Sequence, residues 1–176
     1  MGGRFRWNVL AGLLVAAIGV GGAMAATMSS RAGTVKAAQN ATYGSLLVTA
    51  SGMTLYRYTP EKKGAVKCTG ACASFWPPLV VSGNTKPTAG AGASAGKLST
   101  VKRSNGTRQV TYGGFALYRY AADKKPGDVK GQGVEGKWFA VTSTGALAVA
   151  KKGGVSPPTT PPPTTTDPGY GGAYGP

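Results

Sequence analysis

Between residues 42 and 152 the apolar residues alternate with polar ones or fall into short runs, and no stretch repeats at the spacing of a helix face. Short alternating or apolar runs bounded by Gly, Asn and Ser predict strands. Leu46-Leu47-Val48 leads into the turn Ala50-Ser51-Gly52, and residues 53–58 read as the next strand. Residues 98–103 and 107–112 flank Ser104-Asn105-Gly106. Asn-Gly between two such runs predicts a hairpin, because both residues accept positive φ at little cost. Gly113-Gly114 then reverses the chain into residues 115–120. Residues 138–142 and 146–150 flank Ser143-Thr144-Gly145 and predict a final hairpin. The expected fold class is all-β, built from antiparallel hairpins and meanders.

The pattern occurs twice. Gly52-Met53-Thr54-Leu55-Tyr56-Arg57-Tyr58 returns as Gly114-Phe115-Ala116-Leu117-Tyr118-Arg119-Tyr120, an offset of 62 residues, for instance from Tyr56 to Tyr118. The same offset carries Glu61 to Asp123, Lys62-Lys63 to Lys124-Lys125, and Trp76 to Trp138. Such self-similarity marks two copies of one structural unit. The copies are placed at about 42–104 and 105–152. A unit of that size is marginal alone, so one shared core is expected. Alternation puts Tyr56 and Tyr58 on one face and Met53, Leu55 and Arg57 on the other. Leu55 and Leu117 are expected to face the core, with the tyrosine pairs covering a second layer or lining a groove.

The ends of the chain are of different composition. Arg4 and Arg6, the apolar run 9–20 and Ala23-Met24-Ala25 predict a signal peptide over residues 1–25, cleaved after Ala25. The apolar run falls short of the about 20 residues a membrane span requires, and retention as an anchor is the alternative. No Cys follows that run, so a lipobox cysteine is absent. Residues 26–41, rich in Ala, Thr, Ser and Gly, read as a flexible linker. Residues 153–176, Pro/Thr-rich and then Gly/Tyr-rich, hold too little apolar surface to fold and read as a disordered tail whose threonines are candidate sugar acceptors. The chain is thus expected to be secreted or held in the cell envelope.

Charge narrows the partners. The 176 residues include 20 Lys+Arg against 5 Asp+Glu, for a formal net charge of +15. Cleavage removes Arg4 and Arg6, leaving +13. A cationic surface attracts polyanions. For an exported protein the expected partners are anionic cell-wall polymers or surface glycans, with peripheral contact to anionic lipid headgroups also open. The basic residues come in pairs rather than in long runs, and a nucleic-acid partner is not expected. No specific protein partner is indicated.

The chemistry-bearing residues are few. The chain has no His. Its cysteines, Cys68 and Cys72, are best read as one disulfide in an exported chain. A redox-active pair is the alternative, although the C-x-x-C spacing is absent. A zinc site is not expected, because there is no second Cys pair and no His to complete four ligands. Phosphate-cradling loops, nucleophile elbows and cofactor fingerprints are absent, so no cofactor is expected.

Tyr118-Arg119-Tyr120-Ala121-Ala122-Asp123 fits the pattern Y-x-[FWY]-x-x-D. Gly127-Asp128 and Gly131-Gln132-Gly133-Val134 follow, then Trp138. The first copy carries Cys68-Thr69-Gly70-Ala71-Cys72-Ala73, then Trp76-Pro77-Pro78-Leu79. On these residues the chain resembles the bacterial secreted-repeat family described as predicted lipoproteins with a conserved Yx(FWY)xxD motif. The resemblance spans about residues 42–150. It implies an exported protein and brings no mechanism, since the family's function is unknown. The first copy departs from the pattern, with Glu61 in place of Asp, and lipid attachment does not carry over without its cysteine.

Read from the residues alone, Asp123 is expected to accept backbone N–H bonds from the loop 124–127, and Glu61 from the loop 62–64. Trp76 and Trp138 would anchor the two units. The alternative is a ligand site formed by Tyr56, Tyr58, Glu61, Trp76, Tyr118, Tyr120, Asp123 and Trp138, since aromatics with a carboxylate suit sugars or cations. No catalytic residues are expected. A carbohydrate-active pair formed by Glu61 and Asp123 is the weaker option. The expected function is a non-enzymatic binding or structural module of the envelope. A small redox- or metal-linked protein using Cys68, Cys72 and the tyrosine clusters is the alternative.

Overall fold

The computed structural model describes residues 33–151. In chain order its strands are β1 (Thr34–Asn40), β2 (Gly44–Thr49), β3 (Tyr56–Tyr58), β4 (Val80–Val81), β5 (Thr88–Ala89), β6 (Leu98–Lys102), β7 (Arg108–Tyr112), β8 (Phe115–Ala116) and β9 (Trp138–Ala140). A short helix α1 (Ala71–Phe75) lies between β3 and β4. The strand pairs are antiparallel except β1 with β5, which is parallel. The signal-peptide and tail expectations fall outside the described residues.

Each copy begins with a hairpin, β1–β2 in the first and β6–β7 in the second. The next pairings cross between copies. β3 of the first copy pairs with β9 of the second, Tyr56 opposite Ala140 and Tyr58 opposite Trp138. The counterpart bridge joins Pro78 of the first copy to Tyr118 of the second. Val141 N–H donates to the Leu55 carbonyl at 3.0 Å, and Leu79 N–H donates to the Leu117 carbonyl at 3.0 Å. Thr59 N–H donates to Lys137 O and Ala121 N–H to Phe75 O, both at 2.9 Å. The 62-residue offset converts each of these bonds into its partner. At the centre, Tyr56 and Tyr118 exchange both backbone bonds, at 2.8 and 3.0 Å. The two copies therefore interlock about a pseudo-twofold axis between Tyr56 and Tyr118, and neither completes its sheet alone.

Alternation along the two central strands gives two buried layers, each built by both copies, so the copies share their core as expected. Leu55 and Leu117 pack with Val35, Leu47, Leu79, Val110 and Val141. Tyr56, Tyr118 and Tyr120 turn to the other side, with Trp76, Trp138 and Val134. The strands are thus covered on both faces, as the aliphatic/aromatic split implies.

Three local expectations are corrected. Residues 34–40 are not linker: they form β1, whose Val35 is buried at 0% exposure and whose register pairs Ala37 with Leu47. Small and polar residues hide this strand because its outer positions face solvent. The Asn105-Gly106 hairpin forms, but only Gly106 takes positive φ, 82°. The Asn105 side chain instead accepts from the Thr107 N–H and hydroxyl, at 3.2 and 2.7 Å. Finally, the chain contains α1, one helical turn begun after Gly70 and held by the disulfide loop, too short to leave a periodic pattern. No helix among the described residues is long and apolar enough to cross a membrane.

Candidate functional site

The interlocked strands deliver the motif residues of both copies to one buried place. Trp76 and Trp138 stack face to face, ring centroids 3.8 Å apart and planes 3° from parallel. Tyr120 stacks on the outer face of Trp76 at 4.2 Å, and Tyr58 on the outer face of Trp138 at 4.6 Å. Tyr56 meets Trp76 edge-on at 5.5 Å, and Tyr118 meets Trp138 edge-on at 5.2 Å. Each contact maps onto its counterpart by the 62-residue offset. The T-shaped contacts have a geometry favoured for aromatic pairs, which contributes roughly 0.5–1.5 kcal/mol per pair beyond area burial.

The acids cross over as well. Tyr56 donates its hydroxyl proton to Asp123 Oδ2 at 2.7 Å, and Tyr118 donates to Glu61 Oε1 at 2.6 Å. Tyrosine and acid come from opposite copies in both pairs. Each carboxylate also ties down the loop that follows it. Lys67 and Cys68 N–H donate to Glu61 Oε1 at 2.7 and 3.2 Å, and Lys130 N–H donates to Asp123 Oδ1 at 3.0 Å. The acids do accept backbone bonds, but from the far end of each loop rather than from residues 62–64 and 124–127. The near end of the second loop belongs to Asp128, which accepts from Lys124 and Lys125 N–H at 2.8 and 3.2 Å. These bonds to the ionised form hold the Asp128 carboxyl below the usual range.

All eight motif residues expected as a site are thus brought together. Seven are buried, and Tyr58 is half-buried. They contact one another rather than line an open cleft. Gly131 closes the layer: a Cβ there would stand 2.8 Å from both Trp76 Cη2 and Tyr56 Cε1. Cys68 and Cys72 form the expected disulfide. It closes the segment between the loop anchored by Glu61 and helix α1, which leads directly to Trp76. Among the described residues no group of three or more His, Cys, Asp or Glu is placed to hold a metal.

The two halves differ in one buried cation. Arg103 donates to Gln109 Oε1 and, at 2.8 Å, to the Cys68 carbonyl beside the Glu61 site. Its counterpart position in the first copy is Ala41, so Asp123 has no such neighbour. Sequence reasoning missed Arg103 and Gln109 because the repeat draws attention to matching positions, and these two do not match. Burial pushes the Asp123 carboxyl up to about 6, against the lowering effect of its bonds to Tyr56 and Lys130. Burial, followed by the adjoining carboxylates, raises the Tyr56 and Tyr118 phenols as well.

Asp123 makes stability depend on pH in an unusual direction. Between 3.8 and about 6 the folded chain binds this proton more tightly than the unfolded chain. The contribution is therefore fully present below 3.8 and is lost as pH rises through about 6. The swing is on the order of 3 kcal/mol at 1.36 kcal/mol per pH unit. Asp123→Asn is expected to remove it. Urea denaturation of both proteins from pH 4 to 7 checks this, since the difference between them should grow with pH in favour of the variant.

With the geometry in place, comparison with known families is decisive on one point. A family model described as a secreted repeat of unknown function matches residues 37–80 and again residues 99–142. The chain belongs to this secreted-repeat family. Each matched segment opens inside a hairpin, β1–β2 or β6–β7, and runs through the tyrosine strand to the residues after the tryptophan. The two matched segments are of equal length and lie 62 residues apart, the offset of the repeat. Neither a curated protein nor a solved structure matches this secreted repeat.

Proposed function

We propose that this secreted-repeat protein is a non-enzymatic envelope or extracellular binding module that holds acidic wall polymers or surface glycans through its lysines. One observation carries the reading. Among the described residues thirteen of sixteen lysines and arginines are exposed, while no carboxylate is both exposed and free of a lysine. Glu61 and Asp123 are buried against tyrosines. Asp128 pairs with Lys130 at 3.7 Å, and Glu135 with Lys137 at 3.8 Å. The surface field is therefore almost purely positive, which attracts polyanions without a shaped pocket. Engagement of both repeat-related acids in the core supports binding over catalysis.

Lys62-Lys63 and Lys124-Lys125 sit at the start of the two anchored loops, so the repeat presents the same exposed pair twice. Binding to a phosphodiester-linked wall polymer is expected to be strongly salt-dependent. Four neutralised phosphates would weaken it about a hundredfold between 50 and 200 mM salt. Replacing these four lysines by serine should flatten that dependence. Retention on purified wall polymer, measured against salt for both proteins, tests the proposal. Salt-independent retention, or none at low salt, contradicts it.

A further inference from the structure

The polymer-binding reading uses none of the buried aromatic site, and that site has the parts of a one-electron relay. Tyr120, Trp76, Trp138 and Tyr58 form one continuous stack with centroid separations of 4.2, 3.8 and 4.6 Å. Aromatic rings in van der Waals contact exchange an electron hole rapidly, and indole and phenol are the side chains most readily oxidised by one electron. Tyr58, half-buried, is the end of the stack nearest solvent. The two phenols that flank the stack, Tyr56 and Tyr118, each hold a carboxylate at 2.7 and 2.6 Å. That is within the distance at which a proton moves directly between heavy atoms.

The choice of acid at these positions is the second observation. A neutral amide would accept the same backbone bonds from Lys67, Cys68 and Lys130 with a smaller desolvation cost. Burying a carboxylate in an aromatic layer is costly, and both copies do it, once as Glu61 and once as Asp123. At Glu61, where all three donors share Oε1, what a carboxylate offers beyond an amide is a base. At Asp123 it also offers a second acceptor oxygen, since Tyr56 and Lys130 donate to different oxygens.

We infer that the stack is a hole relay that ends in a neutral tyrosyl radical on Tyr56 or Tyr118. The oxidant is an outer-sphere one-electron acceptor, of the class of metal(III) complexes, that meets the protein at Tyr58. The electron passes from Tyr56 through Trp76 and Trp138, or from Tyr118 through Trp138 alone, to Tyr58 and out to the metal, which is reduced to metal(II). In the same step the phenolic O–H bond breaks and a new O–H bond forms on Asp123 Oδ2 or Glu61 Oε1. The phenol becomes a phenoxyl radical and the carboxylate a carboxylic acid, so that charge and proton both balance. Re-reduction reverses both transfers and leaves the chain unaltered.

Flash photolysis with a ruthenium(II) polypyridyl complex and an electron-accepting quencher generates the ruthenium(III) oxidant in the presence of the folded protein. Transient absorption and freeze-quench electron paramagnetic resonance then identify the radical. The expected result is a neutral tyrosyl radical, formed more slowly in deuterated water and persisting longer than that of free tyrosine. Tyr56→Phe with Tyr118→Phe should lose that long-lived signal and leave a tryptophanyl radical on Trp76 or Trp138. The single variants, each keeping one phenol–carboxylate pair, serve if the double variant does not fold, and each should lose part of the yield. Tyr58→Phe should slow the first oxidation of the stack. A long-lived tyrosyl signal undiminished in the Phe variants overturns the inference. So does folded wild-type protein that yields only the short-lived radical of exposed tyrosines.

Discussion

Replacing Trp138 with alanine is expected to remove about 3–5 kcal/mol of stability, the usual cost of deleting a large buried ring. Against a total of about 5–15 kcal/mol for a domain of this size, that is from about a fifth to all of the stability, and the denaturation midpoint should fall accordingly. The size follows from what the ring touches. Trp138 is 2% exposed, stacks on Trp76 and Tyr58, and receives the edge of Tyr118. Its strand β9 also pairs with β3 across the copies. Trp76→Ala should cost a similar amount, because the offset gives it the same set of partners. The double variant should cost less than the sum, since the shared stack is lost only once. Urea denaturation of the three variants against the wild type checks this. Full additivity would mean the two rings act independently in spite of their 3.8 Å separation.

Glu61→Ala is the second large effect, expected at about 3 kcal/mol or more. It strands three donors: the Tyr118 hydroxyl and the Lys67 and Cys68 amides. An unsatisfied buried donor costs about 1–3 kcal/mol, and solvent admitted to the cavity returns only part of that. Glu61→Gln keeps the acceptor oxygen and should cost about 1 kcal/mol or less. A comparison of the two by denaturation separates the role of the hydrogen-bond acceptor from that of the charge. Tyr118→Phe removes the donor and leaves the acid its two amides, so it should fall between them. Equal loss in Ala and Gln would place the effect on the charge, with the buried Arg103 near Tyr118 as the group left uncompensated.

Much of this fold was legible because local chemistry and tertiary structure agree. The turn at Gly52, the hairpin at Gly106 and the split of Leu55 from Tyr56 all express steric and burial preferences of single residues. The 62-residue offset singles out, before any contact is known, the eight residues that the structure clusters. What stayed hidden is relational. Nothing in either copy states that its tyrosine strand pairs with the other copy's tryptophan strand. Two tandem units and two interlocked units have the same sequence pattern and differ only in which edge meets which. β1 is hidden for a different reason: after Thr34 and Val35 its residues are Lys, Ala, Gln and Asn, which do not favour strands, and only Val35 among them is fully buried. The acids were read as turn formers because Asp and Glu after a strand commonly are. Their partners lie 57 and 67 residues away.

The exchange of strands sets the order in which the chain can become a protein. Synthesis delivers the first copy while the residues that complete its sheet are still unmade. Its β3 edge waits for residues 138–140, some eighty positions later, and meanwhile offers unpaired N–H and C=O groups to any neighbour. Contacts so far apart in sequence fold slowly, because loop closure must precede them. Until residues 138–140 have emerged a chain cannot satisfy this edge itself, whereas a neighbouring chain further along in synthesis can. The stage most exposed to mispairing therefore comes before the native chain is complete, and a delay between the two copies would lengthen it.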